Sequence, residues 1–138
     1  MTPAKNRKLF VNLPVADIKR SNAFFEKLGF KFNPQFSGED TTCMVLSDDG
    51  FVMLLQTERF KSFIKKPISD ATQQTEALFS LSADSREEVD QLVKLALEAG
   101  GASAMPPQDH GFMYGHSFQD PDGHHWEVFW MDPSALQK

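Results

Sequence analysis

Glu127 is the side chain best placed to bind a ligand or take part in catalysis. It lies in residues 120–131, DPDGHHWEVFWM, where a polar turn precedes alternating side chains. Successive residues of a strand point to opposite faces. One face would carry His125, Glu127 and Phe129, and the other Trp126, Val128 and Trp130. A carboxylate among aromatic side chains can hold a ligand, ligate a metal ion or act as a general base; the alternative is a solvated Glu on a half-exposed strand.

The same alternation predicts other residues of a ligand site. Near the start of the chain, two residues lie on the face opposite Val11, Leu13 and Val15, and further candidates come from the last two strands. The predicted ligand-binding residues are Phe10, Asn12, Tyr114, His116 and Phe129. Together they would line an apolar, aromatic pocket with a few polar groups, which is typical of small-molecule sites. The alternative is that these aromatic residues only fill a core.

Composition restricts the class of protein. The chain has 138 residues, 41% of them hydrophobic, and a net charge of -5, with no basic stripe that would suit nucleic acid. No apolar run approaches the roughly 20 residues that span a bilayer, and the first residues lack the apolar core of a signal peptide. Cys43 is the only cysteine, so an internal disulfide is excluded. We therefore expect a cytoplasmic protein with neither nucleic acid nor membrane as partner.

The first half of the chain predicts a strand, a helix and three further strands. Residues 9–15 alternate as a strand does, and Asp17 is placed to begin a helix that Gly29 ends. After residues 30–32, two apolar runs are separated by the turn sequence SDDG, which indicates a hairpin.

The second half repeats this order. Residues 77–81 form a strand, and Ser85 with Glu88 makes a capping box for a helix that ends at the glycine pair 100–101. Strands over 102–105, 113–118 and 124–131 follow. We predict an α+β fold of two tandem βαβββ modules in a single domain 1–138, with module one at 8–56, a linker at 57–75 and module two at 76–131. The alternative is an unrelated α+β sandwich.

Three segments resemble the vicinal oxygen chelate superfamily, which holds glyoxalase I, extradiol dioxygenases and bleomycin-resistance proteins. They are FVNLPVADIKRSNAFFEKLGF near the start, LEAGG at the end of the second helix, and the closing DPDGHHWEVFW. The resemblance covers nearly the whole chain. It implies that the curved mixed sheets of the two modules enclose a cleft, and that the protein forms a homodimer, as many members do.

The resemblance also implies positions for metal ligands. Metalloenzymes of the superfamily place His, Gln or Glu on the cleft faces of the first and last strands of each module. By position, Glu127 would be the carboxylate of the final strand and Glu76 the third ligand. Phe10 would occupy the first position and Met53 or Leu54 the second, and none of these offers a hard donor. This chain therefore departs from the superfamily pattern.

Two functions follow from these expectations. The first is a glyoxalase- or bleomycin-resistance-like protein that binds a small, flat or apolar ligand in an aromatic cleft. The second is a metal-dependent lyase, isomerase or dioxygenase in which Glu127 is a ligand or general base. Its cofactor would be divalent Zn, Ni, Fe or Mn, which would have to recruit water, substrate or a neighbour such as His116 or His125.

The linker 57–75 has two interpretations. It either connects the modules by crossing between them or covers the mouth of the cleft. In the second case Phe60, Phe63 and Ile64 would dock on the pocket, while the cluster of lysines at 61, 65 and 66 stays in water.

Overall fold

The computed structural model describes residues 5–136. The chain divides into two compact units, with the boundary between Ile68 and Ser69, inside the predicted linker. Each unit contains a mixed sheet built on the order strand, helix, strand, strand, strand, to which the second unit adds one short strand, so the predicted α+β fold is confirmed. No helix within the described residues is both long and apolar enough to cross a bilayer.

The first unit is built on a four-stranded sheet. Its elements are β1 (Leu9–Val15), α1 (Ile18–Lys27), β2 (Lys31–Phe32), β3 (Thr41–Val45), β4 (Gly50–Gln56) and α2 (Thr57–Lys61). The strand order is β1-β4-β3-β2, in which β1 and β4 are parallel and the other pairs antiparallel.

Local sequence sets both ends of α1, as expected. The Asp17 carboxylate accepts from the backbone N–H groups of Lys19 at 3.1 Å and Arg20 at 3.3 Å, which satisfies two donors of the first turn. Beyond the end of the helix, Gly29 has φ of 95°, a conformation that glycine adopts without strain. Phe24 and Phe25 point into the core of this unit and are both 1% exposed.

The second unit has the same topology with one added strand. Its elements are β5 (Leu78–Ser82), α3 (Arg86–Glu98), β6 (Ala102–Ser103), β7 (Gln108–Asp109), β8 (Met113–Gln119) and β9 (His125–Met131). The order is β5-β9-β8-β6, and β7 pairs with β8. The short β7 was not predicted, because it is a two-residue polar segment just after Pro106 and Pro107.

The capping box of α3 is present in a modified form. Ser85 Oγ accepts from the Glu88 N–H at 3.1 Å, whereas Glu88 Oε1 accepts from the N–H of Asp84, one residue before the cap, at 2.7 Å. Two donors at the start of the helix are therefore satisfied by side chains.

The turn at 120–123 is tied to the strand that follows it. Asp120 is buried, and its carboxylate accepts from the backbone N–H groups of Asp122 and His124, each at 3.0 Å. It also accepts from the indole Nε1–H of Trp126 at 3.0 Å. Trp126 is fully buried and packs against Phe118, so the turn is anchored in the core of the second unit.

Candidate functional site

A cavity of about 420 Å³ lies over one face of the second sheet. This face is opposite the one that carries Trp126 and Val128, both of which are buried. The cavity is within the size range of small-molecule sites. Its lining comprises Ser80, Met105, Pro106, Gln108, His110, Met113, Gly115, His116, Ser117, Glu127, Val128, Phe129 and Met131. We call it the β9 cavity.

Glu127 stands at the centre of a row of polar side chains in the β9 cavity. Its strand neighbours in register are Ser80 on β5 and Ser117 on β8. Paired residues of adjacent strands project to the same face, so the three side chains are neighbours. Ser80 Oγ donates to Glu127 Oε1 at 3.3 Å. The Glu127 side chain is 40% exposed, so it can reach a ligand.

His125 lies beside the other oxygen of Glu127. Its Nε2 is 3.7 Å from Glu127 Oε2, which is too long for a hydrogen bond but within ion-pair distance if the imidazole is protonated. Nε2 is buried and has no hydrogen-bond partner. Both histidines at the start of this strand are largely buried: His124 is 8% exposed and the His125 side chain 13%.

Methionines, and not aromatic rings, are the most numerous apolar side chains of the wall. Met105, Met113 and Met131 line the β9 cavity, and Phe129 is the one aromatic carbocycle among the described lining residues. Gly115 leaves space next to Phe129, since a Cβ built on it would lie 3.9 Å from the Phe129 Cβ. Thioether side chains adapt to irregular shapes, so this wall suits ligands of varied outline.

Tyr114 and His116 do share one face of β8, but it is not the face of Glu127. They pair in register with Trp130 and Val128, on the face where Tyr114 and Trp130 contact residues of α3. Tyr114 donates to Asp90 of that helix at 2.6 Å, and His116 Nδ1 is 3.9 Å from the same carboxylate. His116 borders the β9 cavity, whereas Tyr114 does not.

Glu76 is not brought next to Glu127. It precedes β5, which begins at Leu78, and it is exposed. The residue that pairs with Glu127 is Ser80. Ser80 follows Glu76 by four residues, which is about 13 Å along an extended chain. Glu76 and Ser80 fall on the same side of an alternating chain, so alternation alone does not distinguish them, and the strand register makes Ser80 the partner of Glu127.

The donors present in the second unit do not make a metal site. Glu127 and His125 approach each other, but no cluster of three His, Cys, Asp or Glu side chains with metal-binding geometry occurs within residues 5–136. A protein site for Zn normally has at least three such ligands. The predicted pair of Glu76 and Glu127 is not supported by this geometry.

The predicted residues of the first unit occupy the expected faces. Phe10 stacks on Phe51 with ring centroids 4.7 Å apart, and Asn12 pairs in register with Met53 on the same open face of the sheet. Leu54 is buried on the other face. Met53, and not Leu54, therefore occupies the open-face position predicted for a second ligand.

The first part of the predicted linker is helical. Helix α2 packs on β1 and β4, and Thr57 Oγ1 donates to the Val15 carbonyl at 3.2 Å. Phe63 is 63% exposed and lies 5.1 Å from the guanidinium of Arg59. The role of this segment as a flap stays a prediction.

Comparisons with known proteins agree with this fold. The model of the Glyoxalase/Bleomycin resistance protein/Dioxygenase superfamily matches residues 9–128. A hypothetical protein from S. aureus is 31% identical, with a TM-score of 0.78 over 92% of this chain and 95% of that chain. No curated protein matches the chain significantly.

Two more distant structures share the fold. A glyoxalase/bleomycin resistance protein/dioxygenase family enzyme from Burkholderia phytofirmans is 19% identical, with a TM-score of 0.73 over 88% of this chain and 96% of that chain. Fosfomycin resistance protein FosX from Mesorhizobium loti is 13% identical, with a TM-score of 0.66 over 100% of both chains. With the family model matched over most of its length, the chain belongs to the glyoxalase/bleomycin resistance protein/dioxygenase superfamily.

Proposed function

We propose that the protein binds a small organic molecule with an apolar body in the β9 cavity, with Glu127 as its polar anchor. The observation that supports this most directly is a half-exposed carboxylate standing among methionine and phenylalanine side chains in a cavity of about 420 Å³. An apolar cavity with few convergent polar groups is the usual composition of a ligand site.

The methionine wall provides a direct test. Protein labelled with ¹³C at the methionine methyl groups can be titrated with small apolar compounds, each signal being assigned by a Met→Leu variant. Binding should shift the signals of Met105, Met113 and Met131. The signal of Met44, which is fully buried in the first unit, is the internal control. If no compound shifts the three cavity signals, or if Met44 responds equally, the proposal fails.

A second candidate function is the metal-dependent lyase, isomerase or dioxygenase. The approach of His125 Nε2 to Glu127 Oε2 favours it, because an imidazole and a carboxylate are both common ligands. Two donors are too few, so this candidate ranks second. Its test is elemental analysis of protein purified without added metal or chelator. One equivalent of Zn, Ni, Fe or Mn that is lost in Glu127→Gln would make it the better candidate.

We also propose a homodimer. The open face of the first sheet carries the stacked rings of Phe10 and Phe51, and Phe10 is 45% exposed. Exposed aromatic pairs are typical of interaction surfaces. Light scattering at micromolar concentration tests this: a monomer mass for the unchanged protein would refute it, and a shift from dimer to monomer in Phe10→Ser would locate the interface.

A further inference from the structure

We propose that the β9 cavity selects ligands that carry a cationic N–H donor, such as a primary ammonium group, on an apolar body, and that Glu127 determines this selection. The inference rests on the proposed function and adds the chemical class of the ligand. Three observations support it: the unused acceptor sites of Glu127, the absence of Lys and Arg among the described lining residues, and the apolar wall.

Most of the hydrogen-bonding capacity of Glu127 is unused. An ionised carboxylate has about four acceptor sites. Within the described residues one donor reaches it, Ser80 Oγ at 3.3 Å, and His125 Nε2 at 3.7 Å stays outside hydrogen-bond distance. Ser117 is already engaged, because its hydroxyl accepts from the Met105 N–H at 2.9 Å and contacts the Met105 carbonyl at 3.4 Å.

The lining does not balance the charge of Glu127. Among the described residues that line the cavity there is no Lys and no Arg. The only groups there that could become cationic are the imidazoles of His110 and His116 in the lining and of His125, whose Nε2 is 3.7 Å from Glu127 Oε2.

Arg86 lies on the other side of the sheet, where its guanidinium is 5.2 Å from the rings of both Tyr114 and Trp130 and donates to Asp109. No permanently charged side chain among the described lining residues therefore neutralises the Glu127 carboxylate.

A ligand must compensate for the water that it displaces. A neutral apolar molecule would strip water from the carboxylate without replacing its hydrogen bonds, which is unfavourable. A primary ammonium supplies three N–H donors and a positive charge, and charge-assisted hydrogen bonds are about twice as strong as neutral ones. The hydrocarbon part of the same molecule can pack on Met105, Met113 and Phe129.

Four compounds of similar shape separate the contributions of the N–H donors, the positive charge and the apolar body to binding. They are 4-phenylbutylamine, its N,N,N-trimethyl derivative, 4-phenyl-1-butanol and 5-phenylpentanoate. Calorimetric titration of the full chain should give tightest binding for the amine, about tenfold or more over the alcohol. The trimethyl derivative keeps the charge but lacks N–H donors, so it should fall between them. The carboxylate should bind weakest, because its charge is repelled by Glu127.

A matched pair of variants assigns the selection to one side chain. Glu127→Gln should weaken amine binding by about 10- to 100-fold and leave the alcohol almost unchanged. Glu98→Gln removes an equal charge from an exposed position on α3 and should change amine binding by less than about threefold. Equal effects of the two variants would show that the selection comes from net charge alone and would overturn the assignment to Glu127.

The order of affinities of the four compounds for the unchanged protein tests the inference even if a variant folds poorly. Equal or tighter binding of the alcohol or the carboxylate would overturn the inference while leaving the proposed cavity function intact. If none of the four compounds shifts the Met105, Met113 or Met131 methyl signals, the proposed function itself fails, and the inference with it.

Discussion

The indole N–H of Trp126 donates to the carboxylate of Asp120 at 3.0 Å, so the buried turn and the strand β9 form one hydrogen-bonded unit. Truncation of this ring should be costly. We predict that Trp126→Ala lowers the free energy of unfolding by about 3–5 kcal/mol. Trp126→Phe should cost about 1–3 kcal/mol, because it keeps much of the packing but removes the donor.

Trp130→Phe is the control for these substitutions. Trp130 is half-buried on the same strand and faces Arg86, with no contact to Asp120 among the hydrogen bonds present in residues 5–136. Its replacement should cost less than about 1 kcal/mol. Urea denaturation followed by far-ultraviolet circular dichroism measures all three variants, and equal losses for Trp126→Phe and Trp130→Phe would contradict the role of the Asp120 bond.

The contribution of Asp120 to the free energy of unfolding should depend on pH with an unusual sign. Burial raises the pKa of the Asp120 carboxyl above its ordinary value, although His124 and the indole of Trp126 oppose the shift. In the window between the unfolded and the raised pKa, the folded state binds more protons than the unfolded state. The contribution of Asp120 to stability should therefore fall as pH rises through this window, opposite to the usual case of a paired carboxylate.

The difference between wild type and Asp120→Asn removes the contribution of titrating groups that do not interact with Asp120, and leaves that of Asp120 together with its neighbours His124 and Asp122. The free energy of unfolding of wild type minus that of Asp120→Asn should decrease from pH 3.5 to pH 6.5, around and above the ordinary carboxyl pKa of about 3.9. An increase would mean that the three N–H donors outweigh burial and that the pKa is lowered.

Gly123 allows the turn to pass close to another segment of the second unit. It has φ of 89°, and a Cβ on it would lie 2.7 Å from the carbonyl oxygen of Ala71. Gly100 has φ of 110° with no atom within 4 Å of such a Cβ. Gly100→Ala should cost about 1 kcal/mol from backbone strain alone. Gly123→Ala should cost about 1–3 kcal/mol more than Gly100→Ala, because its Cβ would press on the Ala71 carbonyl. Thermal unfolding measures both variants, and equal losses of stability would contradict this prediction.

His125 should tolerate replacement by an apolar ring. Its buried Nε2 has no hydrogen-bond partner, and removal of such a group can stabilise a fold. We predict that His125→Phe leaves the free energy of unfolding unchanged or raises it by up to about 2 kcal/mol. His124→Phe should lower it, because His124 favours the ionised form of the buried Asp120. A loss above about 1 kcal/mol in His125→Phe would indicate an ordered water on Nε2.

The sequence predicted the helices, strands and turns well, because the residues that begin and end them act locally. The cap at Asp17, the modified capping box of Ser85 and the turn glycine Gly123 each act within a few residues, and each is present. Alternation along β9 likewise placed Glu127 and Phe129 on the face opposite Trp126. Such features need no knowledge of distant partners.

The rest of the site depended on register between strands. Alternation shows that Tyr114 and His116 share a face, but not which face, since this is fixed by pairing with Trp130 and Val128. Both faces of β8 carry polar groups, so burial gave no guide. The same holds for Ser80, whose pairing with Glu127 joins residues 47 positions apart. Pairings over such distances are not visible in a single sequence.

The chain's two tryptophans and its one tyrosine all belong to the second unit, at Trp126, Trp130 and Tyr114. Absorbance and emission from these rings therefore report on that unit alone, and the first unit is almost silent at wavelengths that excite tryptophan. Comparison of intrinsic fluorescence with circular dichroism during denaturation can thus show, without any label, whether the two halves of the chain lose their structure together or one before the other.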